Sequence, residues 1–168
     1  MIIEGRVAWI FPDNFDIDFI IGVENISVMD NEVLKRLVMN NYEPDFGEKV
    51  REGDIIVAGK SLGYGHPHPM AMRGMRGWGI NTIIGESFYQ TFYRGEIAAG
   101  SKIFASPDIT KKVDRWDVLY LDTDKPVLLN KTKGTELELE PIGKYPLYIM
   151  EHGTLDFIRA IKSGKISN

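Results

Sequence analysis

His66 and His68 stand two residues apart within Gly59-Lys-Ser-Leu-Gly-Tyr-Gly-His-Pro-His-Pro-Met-Ala71 and account for two of the chain's three histidines. An imidazole, with an unperturbed pKa of about 6.5, can accept a proton near neutral pH, and once protonated it can hold a carboxylate. Glycines at 63 and 65 open backbone conformations closed to other residues and let the chain approach a ligand. An apolar run, Asp54-Ile-Ile-Val-Ala58, precedes the stretch and an amphipathic segment over 70–78 follows it. That order reads strand, glycine-rich turn, helix start, and the free N–H groups of a helix start favour an anion. Two other readings of the same histidines stay open: solvated turn residues, or a pair of metal ligands that falls short of a closed site.

Further charged residues surround this stretch in sequence. Arg73 and Arg76, spaced i, i+3, share a helix face and could supply a carboxylate partner, with a solvated basic face as the competing reading. Asp13, Asp16 and Asp18 alternate as oxygen ligands for a hard cation would. Glu86 and Arg94 are expected to pair, because charges on an otherwise apolar helix need partners. Tyr64 either stacks on the helix or offers its phenol to a substrate.

The elements that must position these residues read as one mixed α/β domain over 1–168, without strict βαβ alternation. Strands are expected at 2–11, 54–58, 80–84 and 102–105, with β segments at 118–121, 127–130 and 135–139. Helices are expected at 32–39 (capped by Asp30 or Asn31), 71–77, 87–99 and 146–162, the last broken at Gly153. Residues 44–52 read as loop or short helix. Hydrophobic content of 43% and charged content of 26% are ordinary for a soluble domain. A net charge of −4 gives no electrostatic argument for nucleic acid or an anionic membrane. The absence of cysteine excludes disulfides and any thiolate-held zinc or iron–sulfur cluster built by this chain alone. No apolar run approaches the roughly 20 residues of a membrane span, and no signal-peptide pattern opens the sequence, so a cytoplasmic location is expected.

Four motifs in order carry a family resemblance. Asp13-Asn-Phe-Asp-Ile-Asp-Phe-Ile-Ile21, Val50-Arg-Glu-Gly-Asp-Ile-Ile-Val-Ala-Gly59, Gly85-Glu-Ser-Phe-Tyr-Gln-Thr-Phe-Tyr-Arg94 and Ile149-Met-Glu-His-Gly-Thr-Leu-Asp-Phe-Ile158 are similar to stretches of the isopropylmalate isomerase small subunits. That family is the swivelling domain of the aconitase superfamily as a separate chain. The resemblance implies a three-layer swivelling β/β/α domain and a hydro-lyase active only with a cysteine-bearing large subunit that holds a [4Fe-4S] cluster. It also implies a hydroxy-dicarboxylate substrate. Where the family loop reads Gly-Cys-Gly-Ser-Ser-Arg-Glu-His-Ala, this chain reads Gly63-Tyr-Gly-His-Pro-His-Pro-Met-Ala71. The family's serine base thus aligns with His66 and its carboxylate-binding arginine with His68, which lacks the bidentate fork.

The resemblance further maps the specificity loop to about Asn25-Ile-Ser-Val-Met29, so Ile26, Ser27 and Val28 join Gly65, His68 and Arg73 as the expected substrate-binding residues. That apolar loop fits an apolar side group better than a third carboxylate. It also favours a structural or cleft-edge role for the three aspartates over a metal site. Two further classes remain: a non-catalytic regulatory or assembly paralogue, and a stand-alone His-dependent metal-binding domain. Exposed partner surface would favour self-association of the isolated chain.

Overall fold

Strand β1 (Ile2–Phe11) organises the molecule because it pairs differently along its two halves. Its first half, Ile2 to Arg6, runs antiparallel to β5 (Val118–Asp122), and its second half, from Val7, runs parallel to β2 (Ile55–Ala58). The sheet continues through β3 (Thr82–Gly85) to β4 (Lys102–Ala105) on the parallel side. On the antiparallel side it continues through β6 (Val127–Asn130) to β7 (Thr135–Leu137). The seven strands lie in the order β4-β3-β2-β1-β5-β6-β7 in this computed structural model, which describes residues 1–166. Ser167 and Asn168, the end of the expected unit, lie outside the described residues.

The α/β class expected from the sequence holds. β2 and β3 are buried at every position, which is why they read as unbroken apolar runs, as strands covered on both faces do. β1, β5 and β6 carry partly exposed residues along their length, and core positions such as Leu119, Leu121 and Leu128 point inward.

Helix α1 (Asn31–Leu37) starts where Asp30 accepts hydrogen bonds from the N–H groups of Glu32 (2.8 Å) and Val33 (3.0 Å). It packs closely on α3 (Met70–Gly77), where a Cβ on Gly74 would lie 2.4 Å from Val38 and 3.0 Å from the Leu34 carbonyl. The 44–52 region holds the short α2 (Phe46–Lys49), and a short α5 (Ile109–Lys112) follows β4. The C-terminal pair α6 (Lys144–His152) and α7 (Thr154–Lys162) meets at Gly153, whose φ of +83° is the expected break.

Several boundaries shift by one to three residues: α1 ends at Leu37, β7 ends at Leu137 and α6 begins at Lys144, and two further shifts have a visible cause. The third strand starts at Thr82 because the Ile80 N–H closes the end of α3 on the Met75 carbonyl. Helix α4 (Gln90–Ala98) starts three residues late because Ser87 and Phe88 are held extended against Ser61 and Leu62. Among the described residues, no helix is long and apolar enough to cross a membrane.

Candidate active site

Three loops leave the C-terminal ends of neighbouring parallel strands and are fastened to one another, an arrangement that places ligand sites in open α/β sheets. After β1, Asn14 N–H bonds the Lys60 carbonyl (2.7 Å), and Asp13 accepts from Lys60 N–H (2.8 Å). After β2, Gly63 N–H reaches the Phe15 carbonyl (3.1 Å). After β3, Ser87 accepts from Ser61 N–H through its hydroxyl (2.9 Å) and from Leu62 N–H through its carbonyl (3.2 Å). Gly63 has φ +79°, and a Cβ there would stand 2.3 Å from the Phe92 ring, so only glycine fits both the conformation and the space.

The strap thus built carries the two histidines over a cleft of about 310 Å³. One wall is Ile17 with Gly65, His66, Pro67, His68 and Pro69; the other is Tyr89 with Thr91, Phe92, Gly95, Glu96 and Ala99 of the α4 region. His68 is anchored twice by Asp18, which is only 6% exposed: its N–H donates to Oδ1 (3.0 Å), and its Nδ1 lies 2.7 Å from Oδ2. His66 is exposed and meets the His68 ring edge-on, centroids 5.4 Å apart. Among the described residues it has no hydrogen-bond partner, so both ring nitrogens are open to a ligand.

The three aspartates serve three separate tasks. Asp13 ties the loops, Asp16 caps the 3-10 turn Ile17–Ile20 by accepting from Asp18 N–H (3.0 Å), and Asp18 holds His68. Their close spacing therefore reflects loop construction, and among the described residues no group of three or more His, Cys, Asp or Glu could hold a metal ion.

Of the residues assigned to substrate, Gly65, His66 and His68 line the cleft, whereas Arg73, Ile26, Ser27 and Val28 do not. Arg73 donates to the Met29 carbonyl (3.2 Å) and the Asn31 side chain (2.6 Å), fastening the 26–29 segment to α3. Val28 packs on the core, Ile26 is half-buried and Ser27 is exposed. Arg76 turns away from Arg73, to buried Glu96 and Ser101, so the solvated basic face is replaced by a partly buried ion pair between α3 and the end of α4. The expected Glu86–Arg94 pair is not formed. Glu86 accepts from the Thr110 hydroxyl, and Arg94 is exposed with no ion pair among the described residues. Tyr64 packs edge-on against Tyr89 at 6.0 Å.

Sequence reasoning did not join Asp18 to His68 or place Glu96 at the cleft. The available signal was topological: loops following adjacent parallel strands must meet.

No protein-family model matches the chain. Curated relatives do. The isopropylmalate/citramalate isomerase small subunit of Methanocaldococcus jannaschii is 36% identical over 154 residues, covering 92% of this chain and 91% of that protein. The methanogen homoaconitase small subunit of Methanothermobacter thermautotrophicus is 36% identical over 167 residues, 97% and 95% of the two chains. The 3-isopropylmalate dehydratase small subunit 1 of Archaeoglobus fulgidus is 33% identical over 159 residues, 94% and 98% of the two. The crystal structure of 3-isopropylmalate dehydratase (leuD) from Methanocaldococcus jannaschii superposes with a TM-score of 0.82 at 29% identity, over 99% of this chain and 100% of that one. Likeness at this level along nearly the whole chain, together with the sheet that sets the histidine strap over its cleft, means that the chain belongs to the family of 3-isopropylmalate dehydratase small subunits.

Proposed function

We propose that the chain works with a large subunit to add or remove water at an isopropylmalate-like hydroxy-dicarboxylic acid, with His66 as the proton-transferring base. The observation that carries this reading is the unengaged imidazole of His66 at the cleft, beside a second imidazole already anchored by Asp18. A base must reach the proton α to a carboxylate without first breaking bonds of its own, and among the described residues His66 has no hydrogen bond to break. Histidine also needs less activation than the serine it replaces, since its unperturbed pKa lies near working pH.

His68 would meet a substrate carboxylate through Nε2. Arg73 uses one terminal nitrogen on Met29 and Asn31, which leaves its other donors for a substrate group arriving at the 26–29 segment. Ile26 and Val28 favour an apolar side group there over a third carboxylate, which would need its own cationic partner in a buried setting. A [4Fe-4S] cluster on the large subunit would supply the Lewis acid for the departing hydroxyl. With no cysteine, this chain offers such a cluster no thiolate, and its own part is to bind, orient and move the proton.

The test is reconstitution. The chain is mixed with the large subunit from the same cells and offered hydroxy-dicarboxylates whose side groups run from methyl through isopropyl to carboxymethyl. Turnover greatest with the branched apolar group is the expected result. An assembled complex that turns over none of them overturns the proposal.

A further inference from the structure

We propose that Asp18 is the positioning residue of His68, holding Nδ1–H on its carboxylate and so turning Nε2–H of the protonated ring toward the substrate carboxylate. The inference rests on the assignment of the 63–71 loop to the reaction, and it adds a residue to which no role in proton or charge placement has so far fallen. Three observations carry it. Asp18 is buried, and both hydrogen bonds that its carboxylate accepts come from His68, one from the backbone at 3.0 Å and one from the ring at 2.7 Å. An ionised carboxylate only accepts, so the ring nitrogen facing it must carry a proton. The carboxylate itself is fixed, because the 3-10 turn that bears it is capped by Asp16 and pinned by Ile17 and Ile20, each 1% exposed.

The two residues are 50 positions apart, so their register is set by the parallel pairing of β1 with β2 rather than by local sequence. Among the described residues Nε2 has no hydrogen-bond partner, and the ring lines the cleft. With Nδ1–H committed to Asp18, a doubly protonated ring donates through Nε2–H to a carboxylate. That bond is charge-assisted and about twice as strong as a neutral one.

Asp18→Asn separates positioning from simple support. The asparagine oxygen can keep the His68 N–H, which turns its amide group toward Nδ1 and forces the ring proton to Nε2, with no charge-assisted form available. Imidazole 15N spectra of the full chain, which has only three histidines, report which nitrogen carries the proton. Steady-state kinetics of the assembled enzyme report the consequence. The expected result is a His68 ring protonated on both nitrogens in the parent complex and on Nε2 alone in Asp18→Asn, with KM raised about tenfold and kcat within about threefold.

His68→Gln supplies the control. It should raise KM similarly, and adding Asp18→Asn to it should raise KM no further, whereas a merely structural Asp18 would add its own effect. A ring pattern that does not change in Asp18→Asn, or a proton lost from Nδ1 with KM unchanged, overturns the proposal. Failure of the underlying reaction would show instead as an inactive parent complex, a result on which the ring spectra do not depend.

Discussion

Charged groups gather in two places, and they are treated in opposite ways. At the seam where β1 changes from antiparallel to parallel pairing, the partly buried charges are matched. Arg6 makes two hydrogen bonds to Asp54, at 3.0 and 2.7 Å. Arg115 bonds the Ala8 carbonyl (2.7 Å) and both carboxylate oxygens of Glu43, and its guanidinium lies 4.6 Å from the Trp9 ring and 4.4 Å from the Trp116 ring. Arg115, with help from Lys49, holds the Glu43 carboxyl well below its usual range, at about 2. In the histidine strap the backbone is equally well bonded, yet among the described residues His66 and the outer nitrogen of His68 have no hydrogen-bond partner. Complete matching suits a region that holds the sheet together, and unmatched groups on a rigid frame are what the proposed substrate site requires.

Substitutions at the seam should therefore cost stability and spare turnover. Arg115→Met, the most damaging of these, strands the Glu43 carboxylate and uncovers two tryptophan faces. Urea unfolding should show a loss of about 3 kcal/mol, with kcat of the assembled enzyme unchanged. Gly63→Ala sharpens the contrast from within the strap, because its Cβ must displace Phe92 at a positive φ. A loss of about 2 kcal/mol is expected, and turnover should fall as well, since the strap carries the histidines.

Acid should act through the seam. A carboxyl whose folded pKa is depressed contributes stability in full above its ordinary pKa near 4.5 and loses it as pH falls toward about 2. Urea midpoints should thus drop more steeply between pH 4.5 and 2 for the parent than for Glu43→Gln. The smallest effect belongs to neither region: Asp30→Ala removes the α1 cap and should cost about 1 kcal/mol in the same unfolding assay.

What could be read from the sequence was what local chemistry decides. The Asp30 cap, the Gly153 break and strands β4 and β6 fall where side-chain pattern and turn residues put them. The start of α4 departs from the local pattern because Ser87 is spent on Ser61 and Leu62, 26 and 25 positions earlier. The site was half legible for the same reason. The glycines and histidines of the strap announce themselves by type, and the family motifs fix their alignment. Which cation reaches which partner depends on how helices pack: Arg76 finds Glu96, Arg73 finds the 29–31 segment, and Glu86 finds Thr110 instead of Arg94. No spacing rule predicts such pairings across elements.

The contrast between the two regions stands or falls on His66. His66→Gln, assembled with the large subunit, removes the ring while keeping a polar side chain of similar reach. The account predicts that kcat falls at least a hundredfold while stability changes by less than about 0.5 kcal/mol and the complex still forms. Turnover close to that of the parent, in a complex that assembles normally, would contradict it and leave the strap without its base.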